Sequence, residues 1–464
     1  MNKKKGPGSP TTLASALILI VVFSSGICTA EDLPYDLDFP LPEIQASAPV
    51  QLGGTLEFKA VSRLLDRGSL LYKQRYADRT SRPQDASEIG LTLKPEFSTR
   101  GDPLTLYLRP RMDLRWNSEH QPATHRDEPS AELFPSRSLW SGAILVEEAV
   151  FSIRPSHGLS LDAGKKVVKW GKGYAWSPTA FAARPKDVDD PDKTREGYVL
   201  VGADWIRSMD GLVTTLGLNP LLVPVDRKVN TDLADRDTVL FGGKLSLLAW
   251  DTDIDLLFLD GHGFDQRLGL AAARNLAPHF VVHGELALRR GFERPRAGAD
   301  GTMKTERRDA VSLLLGLRYV NRHDTTFILE YLHNGEGYGR EDMRAYHDLI
   351  ASGAAAREHG KDDGLLRAGR AAAPLYNKSS AMRDYVYLRI IHKEPFNILY
   401  FTPALTVICN TADKSLTLNP EVVWSPRQNL ELKAKLGLPM GRGRTEFGEK
   451  MHHVRAELTL TRYF

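Results

Sequence analysis

The sequence predicts an all-β fold: a transmembrane, antiparallel, up-and-down β-barrel of about eighteen strands spanning residues 51–464. Three observations predict it. Apolar and polar residues alternate with period two through runs of about 11 to 14 residues, about twice the usual length of a strand in a soluble protein. The connections between those runs alternate between tight turns and long loops. The last run ends on an aromatic pair, Tyr463 and Phe464.

At the amino end, Lys3, Lys4 and Lys5 precede an apolar stretch from Leu13 to Ile27, and Cys28-Thr29-Ala30 ends in a small residue. This is the pattern of a secretory signal peptide, residues 1–30, cut after Ala30. Cys28 also permits a lipoprotein reading, but Ile27 fits poorly where a small residue is required. After cleavage Cys409 is the only cysteine left, so no intramolecular disulfide forms. Removing Lys3, Lys4 and Lys5 from 61 basic groups leaves 58, balancing the 58 acidic groups. The basic pI of 8.6 therefore owes much to the signal and gives no argument for a nucleic-acid partner.

Hydrophobic residues make up 42% of the chain, yet mean hydropathy is −0.31. No run after residue 30 reaches the roughly 18 apolar residues of a membrane helix. A barrel hides its hydrophobicity in alternation, so a polar average leaves the membrane open. Residues 31–50 are rich in Pro and acids without periodicity, which predicts a periplasmic lead-in segment rather than a folded domain.

The first strand runs from about Leu52 to Leu64, with Leu56 and Phe58 alternating with Thr55, Glu57 and Lys59. In the second, Ile89, Leu91, Leu93 and Phe97 oppose Glu88, Thr92, Lys94 and Glu96. The third alternates most regularly: Leu104, Leu106, Leu108, Met112, Leu114 and Trp116 against Thr105, Tyr107, Arg109, Arg111, Asp113 and Arg115. Further strands are predicted near 143–154, 158–168, 198–208, 211–219, 237–249, 251–260, 264–275 and 278–290. The remainder are near 308–321, 323–333, 382–394, 396–409, 413–424, 428–438 and 451–464. In the last, Val454, Ala456, Leu458 and Leu460 oppose Arg455, Glu457, Thr459 and Thr461.

Every second connection is tight, as at Pro155–His157, Trp250, Leu276-Ala277 and Pro395. The others include long segments at 65–86, 117–142, 169–197, 220–236, 291–307, 334–381 and 439–450. Short periplasmic turns on one rim and long extracellular loops on the other are the pattern of a membrane barrel. A soluble sandwich has no reason to keep that parity. Within 334–381, the Ala, Leu and Arg content of EDMRAYHDLIASGAAAREHG favours a short helix, either an outer cap or a plug in the mouth.

The most distinctive stretch is LDAGKKVVKWGKGYAWSPTAFAARPKDVDDPDKTREG, Leu161 to Gly197. A strand leads into Trp170, Gly171, Lys172, Gly173, Tyr174 and Trp176, where glycines permit unusual backbone angles and aromatics supply rigid contact area. Together with the export signal, the strand number and the final Phe464, this segment resembles the large outer-membrane barrels related to the alginate-export porins. The resemblance spans the architecture of nearly the whole chain but shares few specific residues. It implies location in the outer membrane of a Gram-negative bacterium, transport, and a last strand read by the barrel-assembly machinery. It also implies that the loop, with Trp170, Lys172, Tyr174, Trp176 and Arg184, folds inward as a constriction. A loop packed on the rim, with Trp170 and Trp176 as interfacial aromatics, is the other reading.

Arg109, Arg111 and Arg115 form a row facing the predicted lumen, about 7 Å between alternate residues. With Lys94 and Lys166 they form a basic wall suited to anions or sugar acids. Asp113, Glu96 and Glu57 sit among them, and a mutually neutralising lining is the competing reading. Asp253, Asp255, Glu285 and Glu330 form a candidate acidic wall several strands away. The cluster Asp187, Asp189, Asp190 and Asp192 has the oxygen-rich character of a Ca²⁺ site but lacks the EF-hand pattern, and ion pairing with Arg184, Lys186, Lys193 and Arg195 competes. No cofactor is called for. His279, His283 and Glu285 raise an enzyme reading, but neither a Gly-x-Ser-x-Gly elbow nor a His-Glu-x-x-His helix is present. The sequence therefore points to a channel embedded in outer-membrane lipid, passing small hydrophilic solutes. A polysaccharide-export conduit or complex sheath, and a plugged structural barrel, are its rivals.

Overall fold

In the computed structural model the described residues are 50–464, apart from 78–81, 102, 119–130, 133–138, 235, 299 and 361–363. The signal peptide, Cys28 and nearly all of the lead-in segment lie outside them. The first strands are β1 (Val50–Leu65), β2 (Asp85–Arg100), β3 (Leu104–Asn117), the two-residue β4 (Ala131–Glu132) and β5 (Trp140–Ser156). Next come β6 (Leu159–Lys166), β7 (Tyr198–Ser208), β8 (Val213–Val225), β9 (Thr238–Ala249), β10 (Thr252–Gly261) and β11 (Gln266–Ala277). The long hairpin β12 (Phe280–Ala297) and β13 (Met303–Val320) leads to β14 (Thr325–His333) and β15 (Asp384–His392). The wall ends with β16 (Phe401–Asn410), β17 (Ser415–Arg427), β18 (Leu430–Met440) and β19 (His452–Tyr463).

Each strand pairs antiparallel with its neighbours in sequence, β4 being a side pairing on β5, since β3 also pairs with β5 directly. β19 returns to β1, with Lys59 opposite Thr459. Gly54 N–H donates to Phe464 O at 2.9 Å, and Phe464 N–H donates back to Gly54 O at 3.1 Å. The sheet is thus a closed eighteen-stranded cylinder with no free edge.

Its burial is inverted relative to a soluble protein. On β3, Leu104, Leu106 and Met112 are exposed, while Arg109 and Asp113 are 8% and 6% exposed. On β19, Leu458 is exposed and Thr459 and Thr461 are buried. Oily side chains point outward all round the wall, as lipid requires. Aromatics gather at the short-turn rim, where Tyr319 packs on His279, Phe280 and Phe327. At the long-loop rim Trp116 faces Trp140.

Several boundaries differ from the sequence expectation. The predicted loop 291–307 is mostly strand, because a register shift between Arg289 and Phe292 absorbs Arg290 and Gly291 and lets β12 and β13 continue pairing. The tight turn at Pro395 opens into 393–400, with left-handed backbone at Glu394, Phe396, Asn397 and Tyr400. The 334–381 loop carries two helices, α2 (Arg340–Glu358) and α3 (Gly364–Tyr376), and a third, α1 (Leu70–Tyr76), lies in the first long loop. The helices pack together through Leu70, Leu71, Met343, Tyr346, Ile350 and Tyr376. The Tyr346 and Tyr376 rings stack 4.4 Å apart, and Tyr376 stacks on Tyr338 at 4.1 Å. This core continues into the bore through Leu314, Leu332, Tyr385, Tyr387 and Ile408 of the wall.

Candidate functional site: the strap across the bore

Between β6 and β7, residues 167–197 form a strap running through the interior. Its hydrogen bonds visit the wall almost strand by strand. Trp170 Nε1 donates to Asn219 of β8 at 3.0 Å. Lys172 Nζ meets Asp253 at 2.5 Å and Asp255 at 2.9 Å on β10. Its backbone N–H and that of Gly173 donate to Glu285 of β12. Tyr174, Ala175 and Trp176 direct their amides at Glu330 of β14. The Trp176 ring lies edge-on to Tyr387 of β15 at 5.8 Å, and its Nε1 donates to Ser380 at 2.8 Å.

The acidic run then reaches the far side. Asn419 of β17 donates to Asp189 at 3.1 Å, Lys433 of β18 pairs with Asp190 at 3.1 Å, and Lys435 donates to the Asp189 carbonyl. Lys94 of β2 donates to Thr194 at 2.9 Å before the chain returns to β7. Arg184 closes the return through Asp232 at 3.1 Å and the Tyr198 ring at 4.8 Å. Residues 170–194 thus contact inward-facing side chains of β2, β8, β10, β12, β14, β15, β17 and β18.

Local sequence explains the course. The inner faces of β7 to β10 are apolar where they meet the strap: Leu200, Leu221, Val223, Leu240, Leu257 and Leu259 are buried beneath Trp170, Phe181 and Ala182. Gly171 has φ +88, and a Cβ there would press on Ser177 and Glu285; at Gly173 it would strike Trp176 and Leu314. Glycine is required at both positions.

The predicted pore-lining residues fall into two groups, neither of them a bare charged wall. Arg109 pairs with Glu147 at 3.0 Å and Glu148 at 2.9 Å. Arg111 pairs with Asp113 at 2.9 Å, Arg115 approaches Asp113 at 3.7 Å, and Lys94 meets Glu147 at 3.3 Å. Lys166 pairs with Asp162 and Asp204. The row is neutralised within the wall. The signal is Pro110: it sits where the β3–β5 register shifts, so that Glu147 and Glu148 both turn toward Arg109 instead of lying on opposite faces. Asp253, Asp255, Glu285 and Glu330 are taken up by the strap.

The aspartate cluster is spread among separate partners: Asp189 and Asp190 on β17 and β18, Asp192 accepting from Tyr174 Oη at 2.7 Å, and Asp187 accepting from Asp189 N–H at 3.1 Å. Burial raises the Asp190 carboxyl, but Lys433, Lys435 and Lys193 together bring it below the ordinary value. Burial pushes the Lys186 ammonium down. Lys193 is lowered by its surroundings and by the nearby Arg111 and Lys59 charges. Burial and the bond to Asp192 push the Tyr174 hydroxyl up.

What the strap leaves open is a cavity of about 740 Å³ against β3 and β5 to β9. Arg109, Lys166, Lys169, Lys193, Arg195 and Lys244 line it, against Glu148, Asp162, Asp192 and Asp204. Among the described residues, Lys169 and Lys193 have no carboxylate within ion-pair distance, and Arg195 donates only to the Arg184 carbonyl. Lys169, Lys193, Arg195 and Lys244 were not singled out in the sequence as pore-lining residues. A smaller cavity of about 280 Å³ lies between the strap tip and β15 to β19.

No family model matches the chain, and no curated relative matches it. Among solved structures, OccAB1 of Acinetobacter baumannii superposes with a TM-score of 0.51, covering 89% of this chain and 96% of that one at 10% identity. The fold is that of a porin-like barrel. OccAB3 of the same organism gives 0.48 at 11% identity, over 90% of this chain and 99% of that one. A double mutant of the Rh. blastica porin gives 0.40 at 11% identity, over 89% and 100%. The porin-like barrel here differs from a simple open cylinder in carrying both a strap and a helical core in its bore.

Proposed function

We propose that the chain is a channel of the Gram-negative outer membrane, passing small hydrophilic solutes by diffusion through the cavity beside the strap. One observation carries this reading: a charge-lined cavity of about 740 Å³ inside a closed cylinder whose outer face is oily. Within it Lys169, Lys193 and Arg195, which have no carboxylate partner among the described residues, favour anionic solutes over cationic ones. The neutralised row of Arg109, Arg111 and Arg115 contributes rigidity rather than net field. Assembly through β19, which ends beside Phe464, and kinship with the alginate-export porins belong to the same proposal; the kinship rests on the Trp-Gly segment and general architecture.

A second reading, a plugged structural barrel, is favoured by the buried tyrosine core beneath α2 and α3. Planar-bilayer recording separates the two. Purified protein should show discrete ohmic steps in KCl, and removal of residues 170–197 should enlarge them several-fold. A wild-type protein that forms heat-modifiable barrels yet conducts nothing would favour the plugged barrel.

A further inference from the structure

The Trp-Gly-Lys-Gly-Tyr-Ala-Trp segment turns its backbone amides toward two wall carboxylates. Glu285 is 2% exposed and Glu330 is fully buried. One oxygen of Glu285 accepts from Lys172 N–H at 2.6 Å and Gly173 N–H at 2.7 Å. Its other oxygen accepts from Thr179 N–H at 3.0 Å and Thr179 Oγ1 at 2.7 Å. Glu330 accepts from Tyr174 N–H at 2.5 Å and Ala175 N–H at 2.9 Å, with Trp176 N–H farther off at 3.4 Å. His283 Nε2 lies 2.7 Å from the same Glu330 oxygen that Tyr174 reaches. On the reverse side, Lys186 Nζ donates to the Gly173 and Tyr174 carbonyls at 2.5 and 2.9 Å.

Successive amides converging on an anion make a concave anion-binding nest. Such nests commonly hold a phosphate or another bound anion; here the anions belong to the opposite wall. We propose that Glu285 and Glu330 are the positioning residues of the constriction: two carboxylate latches that fix the strap and so set the width of the passage. The assignment gives the Gly171 and Gly173 spacing a reason, because a Cβ at either position would collide with the turn that presents those amides. It also accounts for two buried acids that have no Lys or Arg within ion-pair distance among the described residues. It rests on the proposed channel only for its consequence in conductance.

Glutamine keeps the shape of each latch and removes one acceptor oxygen. At Glu285 that turns an amide NH₂ toward N–H donors of the strap. At Glu330 the NH₂ has an acceptor available in the other tautomer of His283, so Glu330→Gln is the milder change. The test compares wild type, Glu285→Gln, Glu330→Gln and the double variant as full-length, detergent-purified barrels. Two readouts are taken: the rate of tryptic cleavage at the strap lysines and arginines, and single-channel conductance with its open-state noise. Because each latch loses a charge-assisted bond, strap cleavage should rise by about tenfold or more in Glu285→Gln and further in the double variant. The gel mobility shift of the heated barrel should be unchanged, and conductance and noise should rise in the same order.

Strap cleavage within twofold of wild type in both single variants would overturn the assignment. So would a lowered melting temperature of the whole barrel without local cleavage, the mark of a merely structural role. If the double variant does not assemble, the single variants decide by the same criterion. A wild-type barrel without conductance would remove the channel reading and leave the cleavage comparison intact.

Discussion

The two sides of the strap meet the same wall with opposite chemistry. Toward β12 to β17 most of the interior is filled: Trp176, Leu314, Leu332, Tyr385, Tyr387 and Ile408 join the helices in one buried core, leaving the smaller cavity of about 280 Å³ at the strap tip. Toward β3 and β5 to β9 a cavity stays open, faced by paired wall charges and by Lys169, Lys193 and Arg195 of the strap, beside the apolar patch of β7 to β10 that Trp170 and Phe181 cover. The membrane-facing band is oily on both sides, so lipid does not distinguish them. The inner face decides where a barrel keeps water. Apolar inward residues recruit protein cover, because leaving them wet forfeits about 25 cal/mol per Å². Charged inward residues arranged in pairs need no cover and hold a hydrated path.

The filled half depends most heavily on Trp176. Replacing it with Ala removes a ring that packs on Tyr385 and Tyr387 and donates to Ser380. The expected cost is about 3–5 kcal/mol, felt in the filled half. Urea unfolding followed by tryptophan and tyrosine fluorescence should show the strap and helical core loosening before the barrel. An unchanged single transition would mean that the filled half does not depend on this anchor.

A smaller effect sharpens the other side. Reversing Lys169 and Lys193 to Glu should shift the chloride-to-potassium permeability ratio toward potassium. Each reversal near the ion path is worth on the order of 1 kcal/mol, about fivefold in the ratio. The same reversal at Lys94, which Glu147 already neutralises, should shift selectivity less and weaken the fold instead. Equal shifts at Lys94 and Lys193 would erase the distinction between paired and unpaired cations. Reversal potentials in a KCl gradient read all three.

Much of this architecture was legible in the residues. Period-two alternation with Leu104, Leu106 and Leu108 set against Tyr107 and Arg109 placed the strands, and the parity of connections gave the cylinder. The course of the strap was legible only as a choice. The deciding signal lies outside the strap: Leu221-Leu222-Val223-Pro224-Val225 is apolar on both faces, as are Leu240-Phe241 and Leu256 to Leu259. A strand with lipid outside has no use for an oily inner face unless protein covers it. The neutralised arginine row was less accessible, because it depends on the register shift at Pro110, which no pairwise pattern announces. The extension of β12 past Arg289 escaped for a related reason, strand pairing overriding a polar, Arg-rich local composition.

Cysteine accessibility during conduction tests most directly whether the conducting water lies on the β3 and β5 to β9 side of the strap. Cys409 shares the outward parity of Leu405 on β16, so the background reaction with a water-soluble thiol reagent should be low. Asp204→Cys on the open side should react quickly and reduce single-channel current as the label occupies the passage. Thr406→Cys, buried on the filled side beside Arg389, should react slowly and leave the current unchanged. Rapid labelling and block at Thr406 with none at Asp204 would contradict the account.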